Sequence, residues 1–257
     1  MSHDRLVQPS PLYRLESVTK RYGEKTVLDN LSFDLAAGCN LVVMGRSGTG
    51  KSVLLRLMDG LERPDSGKIL FDDVDISRLS ERALEPMRHR VAMLFQGGAL
   101  FDSMNVFDNL SFPLRRHTSL DRETIREKVA TALGLVELEG VEGKLPSALS
   151  GGMRKRVALA RSLILEPEVM LFDEPTTGLD PVTAATIAHL IRSIQRRLKM
   201  TSVVVTHDVP LARRVGDLLA YLEDGRFRFF GTWEEATVTS DEVFRAFLTA
   251  NEESHAA

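Results

Sequence analysis

"NLVVMGRSGTGKSVLLRLMDGL", residues 40–61, holds three patterns in succession. Asn40 to Met44 is an almost unbroken apolar run, as expected of a strand covered on both faces. Gly45, Gly48 and Gly50 then mark a loop, and Lys51 to Leu61 reads as a helix. Strand, glycine loop and helix come in the order a nucleotide site needs. Gly45, Arg46, Ser47, Gly48, Thr49, Gly50, Lys51 and Ser52 fit the phosphate-loop pattern G-x-x-x-x-G-K-S/T. The glycines let backbone N–H groups wrap a phosphate chain, Lys51 reaches the terminal phosphates and Ser52 is placed to hold magnesium. An ordinary glycine-rich loop is the alternative, and the strand before it and helix after it argue against that.

Working outward, residues 12–35 alternate apolar and polar positions around "YGEK" and predict two antiparallel strands joined by a turn. "GKILFDD" and "RVAMLFQ" predict further strands. From 97 to 166 the helical pattern takes over, with Ile125, Val129 and Leu133 at four-residue spacing, and a helical subdomain is expected there. Strand patterns return at "VMLFDE", residues 169–174, and "TSVVVTHD", residues 201–208. Between them runs a long helix with Asp180 as N-cap and Pro181 at its first position. "LLAYLEDGRFRFFG" predicts a hairpin turning at Asp224 and Gly225. "TSDEVFRAFLTANEES" predicts an amphipathic helix with a capping box from Thr239 to Glu242. Its apolar stripe, Val243, Phe244, Phe247 and Leu248, is expected to pack on the chain's own domain. The expected fold class is α/β around a mostly parallel sheet. A tail covers 1–11, the main domain 12–238, and the last helix and tail 239–257.

The 257 residues suffice for one large core with a subdomain attached. Acids number 36 against 33 bases, so the positive excess of a nucleic-acid binder is missing, and no nucleic-acid partner is expected. Cys39 is the sole cysteine, which excludes an internal disulfide framework and fits a reducing compartment. "MSHDRLVQPSP" has no apolar signal-peptide core, so no secretory signal is expected. Apolar runs such as "VVM" and "SVVVT" fall short of the roughly 20 residues that cross a bilayer. Membrane association is expected only through a partner or the surface.

"VMLFDE" ends an apolar run in Asp173 and Glu174, which is costly unless something occupies the two acids. Asp173 is placed to bind Mg²⁺, directly or through water, and Glu174 to polarise the water that attacks a terminal phosphate. "LSGGMRKR", residues 149–156, sets Ser150, Gly151 and Gly152 just before a helix-like run, where N–H groups and a hydroxyl favour a second anion. Arg154, Lys155 and Arg156 read as a solvated helix face, with assistance to phosphate charge as the alternative. Gln96, His207 and Tyr22 each have a bland reading as an exposed glutamine, a structural histidine and a packed aromatic. Spacing alone does not decide these three.

Taken in order, the phosphate loop, Gln96, "LSGGM", "VMLFDE", "GLD" and His207 resemble the ATP-binding-cassette (ABC) ATPases over nearly the whole chain. The resemblance implies a P-loop NTPase nucleotide-binding domain with an antiparallel β subdomain and an α-helical subdomain. It implies that ATP is bound with Mg²⁺, with Tyr22 stacked on adenine and Gly45 to Ser52 around the phosphates. Gln96 would sense Mg²⁺ and couple to a transport subunit, Glu174 would be the base, and His207 would touch the γ-phosphate. Asp180 would signal across a dimer interface. Ser150, Gly151 and Gly152 would bind the γ-phosphate held by a second copy of the chain, giving a head-to-tail dimer around two ATP molecules. Met153 stands where the commoner signature has glutamine.

"LFQGGALFDSMNVFDNLSFPLR", residues 94–115, offers Leu100, Phe101, Met104 and Phe107 on a loop and helix start. A partner surface and folding back onto the subdomain are both open. With "LSGGM", this stretch resembles the ATPases of the Mla phospholipid transport systems. That resemblance implies a peripheral protein on the cytoplasmic face of a bacterial inner membrane, driving phospholipid movement between membranes. Its partners would be an MlaE-like permease, an MlaD-like MCE-domain protein and, in some members, an MlaB-like STAS-domain protein. The C-terminal region would contact the neighbouring ATPase or the STAS partner. An importer ATPase for another solute, such as an amino acid, is an alternative. So is a soluble ABC protein acting on nucleic acid or ribosomes, whose usual second cassette or coiled-coil insertion these residues do not contain.

Overall fold

The computed structural model describes the backbone of residues 11–256 and the side chains of residues 11–250. The expected tail at 1–11 lies, except for Pro11, outside them. Strands β1 (Tyr13–Tyr22) and β2 (Lys25–Leu35) pair antiparallel across a tight turn, where Tyr22 faces Lys25 and Gly23 has φ of +60°. The buried strand β3 (Asn40–Met44) runs into the glycine loop and helix α1 (Lys51–Met58). Strands β4 (Ser66–Phe71) and β5 (Val74–Asp75) follow, giving a four-stranded antiparallel sheet in the order β2-β1-β4-β5. Asp72 and Asp73, expected at the end of a strand, instead make the two-residue turn between β4 and β5, with φ of +52° and +61°. A hairpin this short requires left-handed backbone at both positions, and short polar residues tolerate it.

Helix α2 (Glu81–Arg90) is capped by Ser80, and strand β6 (Val91–Leu94) begins where it ends. Helices α3 (Val106–His117), α4 (Arg122–Leu135) and α5 (Gly151–Leu163) fill the segment expected to be helical. Strand β7 (Val169–Asp173) returns the chain to the large sheet. Asp180 caps helix α6 (Pro181–Leu198) as expected, its carboxylate accepting from the Val182 and Thr183 N–H groups at 3.1 and 3.0 Å. Strand β8 (Thr201–Thr206), helix α7 (Val209–Val215) and strands β9 (Leu218–Glu223) and β10 (Arg226–Gly231) complete the sheet. Its order is β10-β9-β3-β8-β7-β6, parallel except for the β9–β10 hairpin, which turns at Asp224 and Gly225.

β3 divides its side chains between two cores. Leu41 and Val43 join α1 and the antiparallel sheet, with Leu15, Leu54 and Leu55. Val42 and Met44 face the helical side, with Leu110, Val157 and Ile191. This period-two division is why the strand must be apolar throughout. The glycine loop thus leaves a strand fixed from both faces.

Helices α8 (Trp233–Thr237) and α9 (Glu242–Ala256) end the described chain. The cap of α9 differs from the expected box: Asp241, not Thr239, accepts from the Phe244 N–H at 2.8 Å. Thr239 Oγ1 instead accepts from the Asp241 N–H, and the reciprocal capping box belongs to Thr232 and Glu235 of α8. The stripe on α9 packs as expected, with Phe244 stacked on Tyr221 and Phe229 and with Phe247 against Tyr221. Of the three residues expected on a solvated face, Arg154 is exposed, while Lys155 and Arg156 are half-buried, and all three side chains also have partners. Arg154 donates to the Leu149 carbonyl, Lys155 to that of Gln96 and Arg156 to that of Val136. Each satisfies a loop carbonyl that has no strand partner.

Candidate active site

The loop after β3 has no room for a side chain at two of its glycines. A Cβ at Gly45 would stand 2.4 Å from the Leu222 carbonyl oxygen, and one at Gly50 would stand 2.9 Å from Val27. Gly50 takes φ of 102° and caps α1 without any side-chain hydrogen bond. The first N–H groups of α1 are therefore open to an anion, with the positive end of the helix dipole behind them. They border a cavity of about 440 Å³ whose walls include Gly48, Lys51, Ser52, Gln96, Glu174 and His207. Here the fold brings together residues far apart in the chain.

Lys51 is buried, and its Nζ donates to the carbonyls of Gly45 at 2.8 Å and Arg46 at 3.0 Å. It also lies 3.5 Å from Glu174 Oε1. Burial lowers its pKa, opposed by the charges of Glu174 and Asp173. Ser52 Oγ donates to Asp173 Oδ1 at 2.7 Å. Burial raises the Asp173 pKa, and the Ser52 hydrogen bond opposes it. The Ser52 hydroxyl and Asp173 carboxylate meet here, and Gln96 lines the same cavity as Ser52; hydroxyl, carboxylate and amide oxygens are donors that a hard divalent cation takes.

Glu174 follows β7 with φ of +48°, and its N–H is fixed by the Val205 carbonyl at 3.0 Å. Its Oε2 lies 2.9 Å from His207 Nδ1 and accepts from Thr206 and Thr177 hydroxyls at 3.3 Å each. The side chain thus lies between a buried ammonium and an imidazole, at the wall of the phosphate-loop cavity. A carboxylate so held can accept a proton from a water on the cavity side.

The remaining expected residues are placed elsewhere. Ser150 caps α5, its Oγ accepting from the Met153 N–H at 3.2 Å, and Gly151 borders a separate cavity with Gly97, Thr177 and Gly178. Gly152 is pressed by Thr183, whose Cγ2 would stand 2.6 Å from an added Cβ. Asp180 is exposed, and the Thr183 hydroxyl, donating at 2.6 Å, holds its carboxyl below the usual range. Neither Ser150 to Gly152 nor Asp180 reaches the phosphate-loop cavity of its own chain. Arg46 and Ser47 also border a pocket against Ala246, Phe247 and Ala250 of α9. Tyr22 is 45% exposed, and its hydroxyl donates to Glu62.

Four residues of the cavity region are not singled out by sequence reasoning: Val27, Val53, Thr177 and Thr206. "THD" directly after the apolar run "SVVVT" was the only available signal for Thr206. The apolar loop divides between its two readings. Leu100 and Phe107 fold onto the core, whereas Phe95 and Phe101 remain 39% exposed. Phe95 borders a groove of about 210 Å³ with Met93, Gly98, Ala158 and Arg161. No helix among the described residues is long and apolar enough to cross a membrane.

Residues 28–177 match the family model described as ABC transporter. The chain is 45% identical over 235 residues to the "probable ribonucleotide transport ATP-binding protein mkl" of Mycobacterium leprae, covering 91% of this chain and 67% of that protein. It is 41% identical over 230 residues to the "intermembrane phospholipid transport system ATP-binding protein MlaF" of Haemophilus influenzae, covering 90% of this chain and 87% of that protein. Among solved structures, the dimeric post-hydrolysis state of the ATP-binding cassette MJ0796 bound to ADP and Pi superposes with a TM-score of 0.79. It is 31% identical, and the match covers 86% of this chain and 98% of that one.

Proposed function

The chain belongs to the ABC transporter family, and from that premise we propose that it powers phospholipid movement between the membranes of a cell envelope through a separate permease. It is the ATP-binding subunit of an ABC transporter and hydrolyses ATP to ADP and phosphate. The observation that carries the reading of the site is the position of Glu174. Its carboxylate lies 2.9 Å from His207 and 3.5 Å from Lys51, beside the open N–H groups of α1.

In this reading the N–H groups of the loop and the Lys51 ammonium receive the phosphate chain of ATP. Glu174 orients the attacking water and accepts its proton, while His207 and Thr206 keep the carboxylate in place. Ser52, Asp173 and Gln96 would hold Mg²⁺, which when bound supplies neutralisation of charge between the phosphates. Tyr22 stacks on the adenine. Ser150, Gly151 and Gly152 act on the nucleotide of a second copy of the chain, and Asp180 lies at the interface between the copies. Their absence from the lining of the chain's own cavity supports that arrangement, as does the dimeric relative that holds ADP and phosphate.

Phospholipid is favoured as cargo because the MlaF protein is matched over 87% of its length, against 67% for the mkl protein, and by the wording of residues 94–115. The groove beside Phe95, with Phe101 exposed on the adjoining loop, supports docking of a permease next to Gln96. An MCE-domain protein and a STAS-domain protein complete the proposed assembly on the cytoplasmic face of the inner membrane. The test is to isolate tagged Glu174→Gln protein from native membranes in ATP and identify the accompanying chains and lipids by mass spectrometry. A permease, an MCE-domain protein and phospholipid are expected. A permease with neither an MCE-domain protein nor lipid overturns the phospholipid assignment, and recovery without any membrane protein overturns the transport assignment.

A further inference from the structure

The ring of Tyr22 stands at the β1–β2 turn, where an exposed side chain on so short a loop would ordinarily sample several rotamers. It does not hang free. Its hydroxyl donates to Glu62 Oε2, and the Lys20 ammonium lies over the ring, 5.2 Å from its centroid. Glu62 is itself held: Arg56 Nε donates to its Oε1 at 2.6 Å, and Lys20 lies 3.7 Å from its Oε2. Glu62 follows α1, and Arg56 lies in the last turn of that helix, whose first residue is Lys51. One short helix, about 12 Å long at 1.5 Å per residue, therefore carries the phosphate ligand at its start and anchors the tyrosine at its end.

We propose that Glu62 is a positioning residue for the nucleotide base, holding the Tyr22 ring in the orientation in which adenine stacks on it. This inference rests on the reading of Tyr22 as the stacking residue. With one ring face covered by Lys20, the base takes the opposite face, and the hydroxyl tether holds the axis of the ring in place. The electrostatics agree with the geometry. Burial raises the Tyr22 phenol, as does the carboxylate it donates to, while hydrogen bonds from Tyr22 and Arg56 pull Glu62 down against its own burial. Glu62 therefore stays an ionised acceptor and Tyr22 a neutral donor, the pairing in which the tether is strongest. Preorganising one side chain before binding is worth about three- to tenfold in affinity.

The experiment measures equilibrium binding of two probes, ATP and inorganic tripolyphosphate, each with Mg²⁺, to the full chain and its variants. Tripolyphosphate has no base, so a residue acting through base stacking leaves its affinity unchanged. Glu62→Ala is expected to weaken ATP by about three- to tenfold and to leave tripolyphosphate as it was. Tyr22→Phe, which keeps the ring and removes the tether, is expected to do the same, and the double variant no more than either alone. Glu62→Gln, whose amide oxygen still accepts from the phenol, is expected to recover most of the loss. If Tyr22→Ala weakens ATP but Glu62→Ala does not, the stacking stands and the tether is refuted. If Tyr22→Ala binds ATP like the parent, the stacking reading fails and the inference with it. Equal weakening of both probes by Glu62→Ala makes Glu62 a support of α1 and overturns the proposal.

Discussion

Glu174 has a left-handed backbone, with φ of +48°, where a non-glycine residue costs roughly 1–2 kcal/mol. Such strain persists where the surroundings over-determine it. Here the Val205 carbonyl fixes the N–H, and Lys51, Thr206 and His207 hold the carboxylate. Replacing Glu174 by Gln keeps the shape and removes the basicity. ATP binding should persist while hydrolysis slows by about 10² to 10⁴, or roughly 3–5 kcal/mol of barrier. Phosphate release at saturating ATP, measured beside ATP affinity, checks this, and parental turnover would remove Glu174 from the role of base. Lys51, Ser52, Asp173 and Glu174 could be read from the sequence because each belongs to a short run with its own pattern. Thr206, Val27 and Glu62 could not: a lone threonine, valine or glutamate has no spacing signature, and its meaning depends on which distant segment packs beside it.

Elements follow the same division. β3, β7 and β8 announce themselves as apolar runs because both faces are covered, and α6 announces its start through Asp180 and Pro181. α2 did not, since only Leu84 and Met87 are buried in its ten residues and Pro86 interrupts it. α5 hid its role as well: Lys155 and Arg161 bind the carbonyls of Gln96 and Ala99, which ties the helix to the loop in a way that a run of charges does not reveal. The C-terminal end of α1 holds a further effect. Asp59 is the C-cap, a carboxylate placed at the negative end of the helix dipole, and burial pushes its pKa up to about 7, with Arg88 opposing. The folded chain therefore binds this proton more tightly than the unfolded chain, whose aspartate titrates near 3.8. Stability from this group is greatest below that value, falls as pH rises towards 7 and is level above it. The span corresponds to about 4 kcal/mol at most. Asp59→Asn should lose that decline and be the more stable protein at about pH 8. Urea unfolding of both proteins across that range is the measurement, and parallel pH profiles would contradict the account.

At the scale of the molecule, the two helix starts proposed to bind anions face different places. The start of α1 opens into the cavity with Lys51 and Glu174, whereas Ser150 at the start of α5 lies outside that cavity. α5 belongs to the helical part, which α3 and α4 complete, and α1 lies between the two sheets. On the proposed reading, a single chain therefore holds two half-sites that do not line the same cavity. Under the proposed head-to-tail dimer, each half-site is completed by the other copy, and opening or closing of the pair makes hydrolysis conditional. Mixed dimers separate this from a site contained in one chain. When one copy carries Ser150→Ala and the other Lys51→Ala, the intact lysine and the intact serine meet at one interface, and one of the two sites is whole. When both substitutions lie on the same copy, each interface has one damaged half. Hydrolysis should therefore survive in the first pairing and be lost in the second, measured on dimers purified by two different tags. A chain-contained site gives the reverse: the doubly substituted dimer keeps its unaltered copy active, and the dimer with one substitution per copy has none.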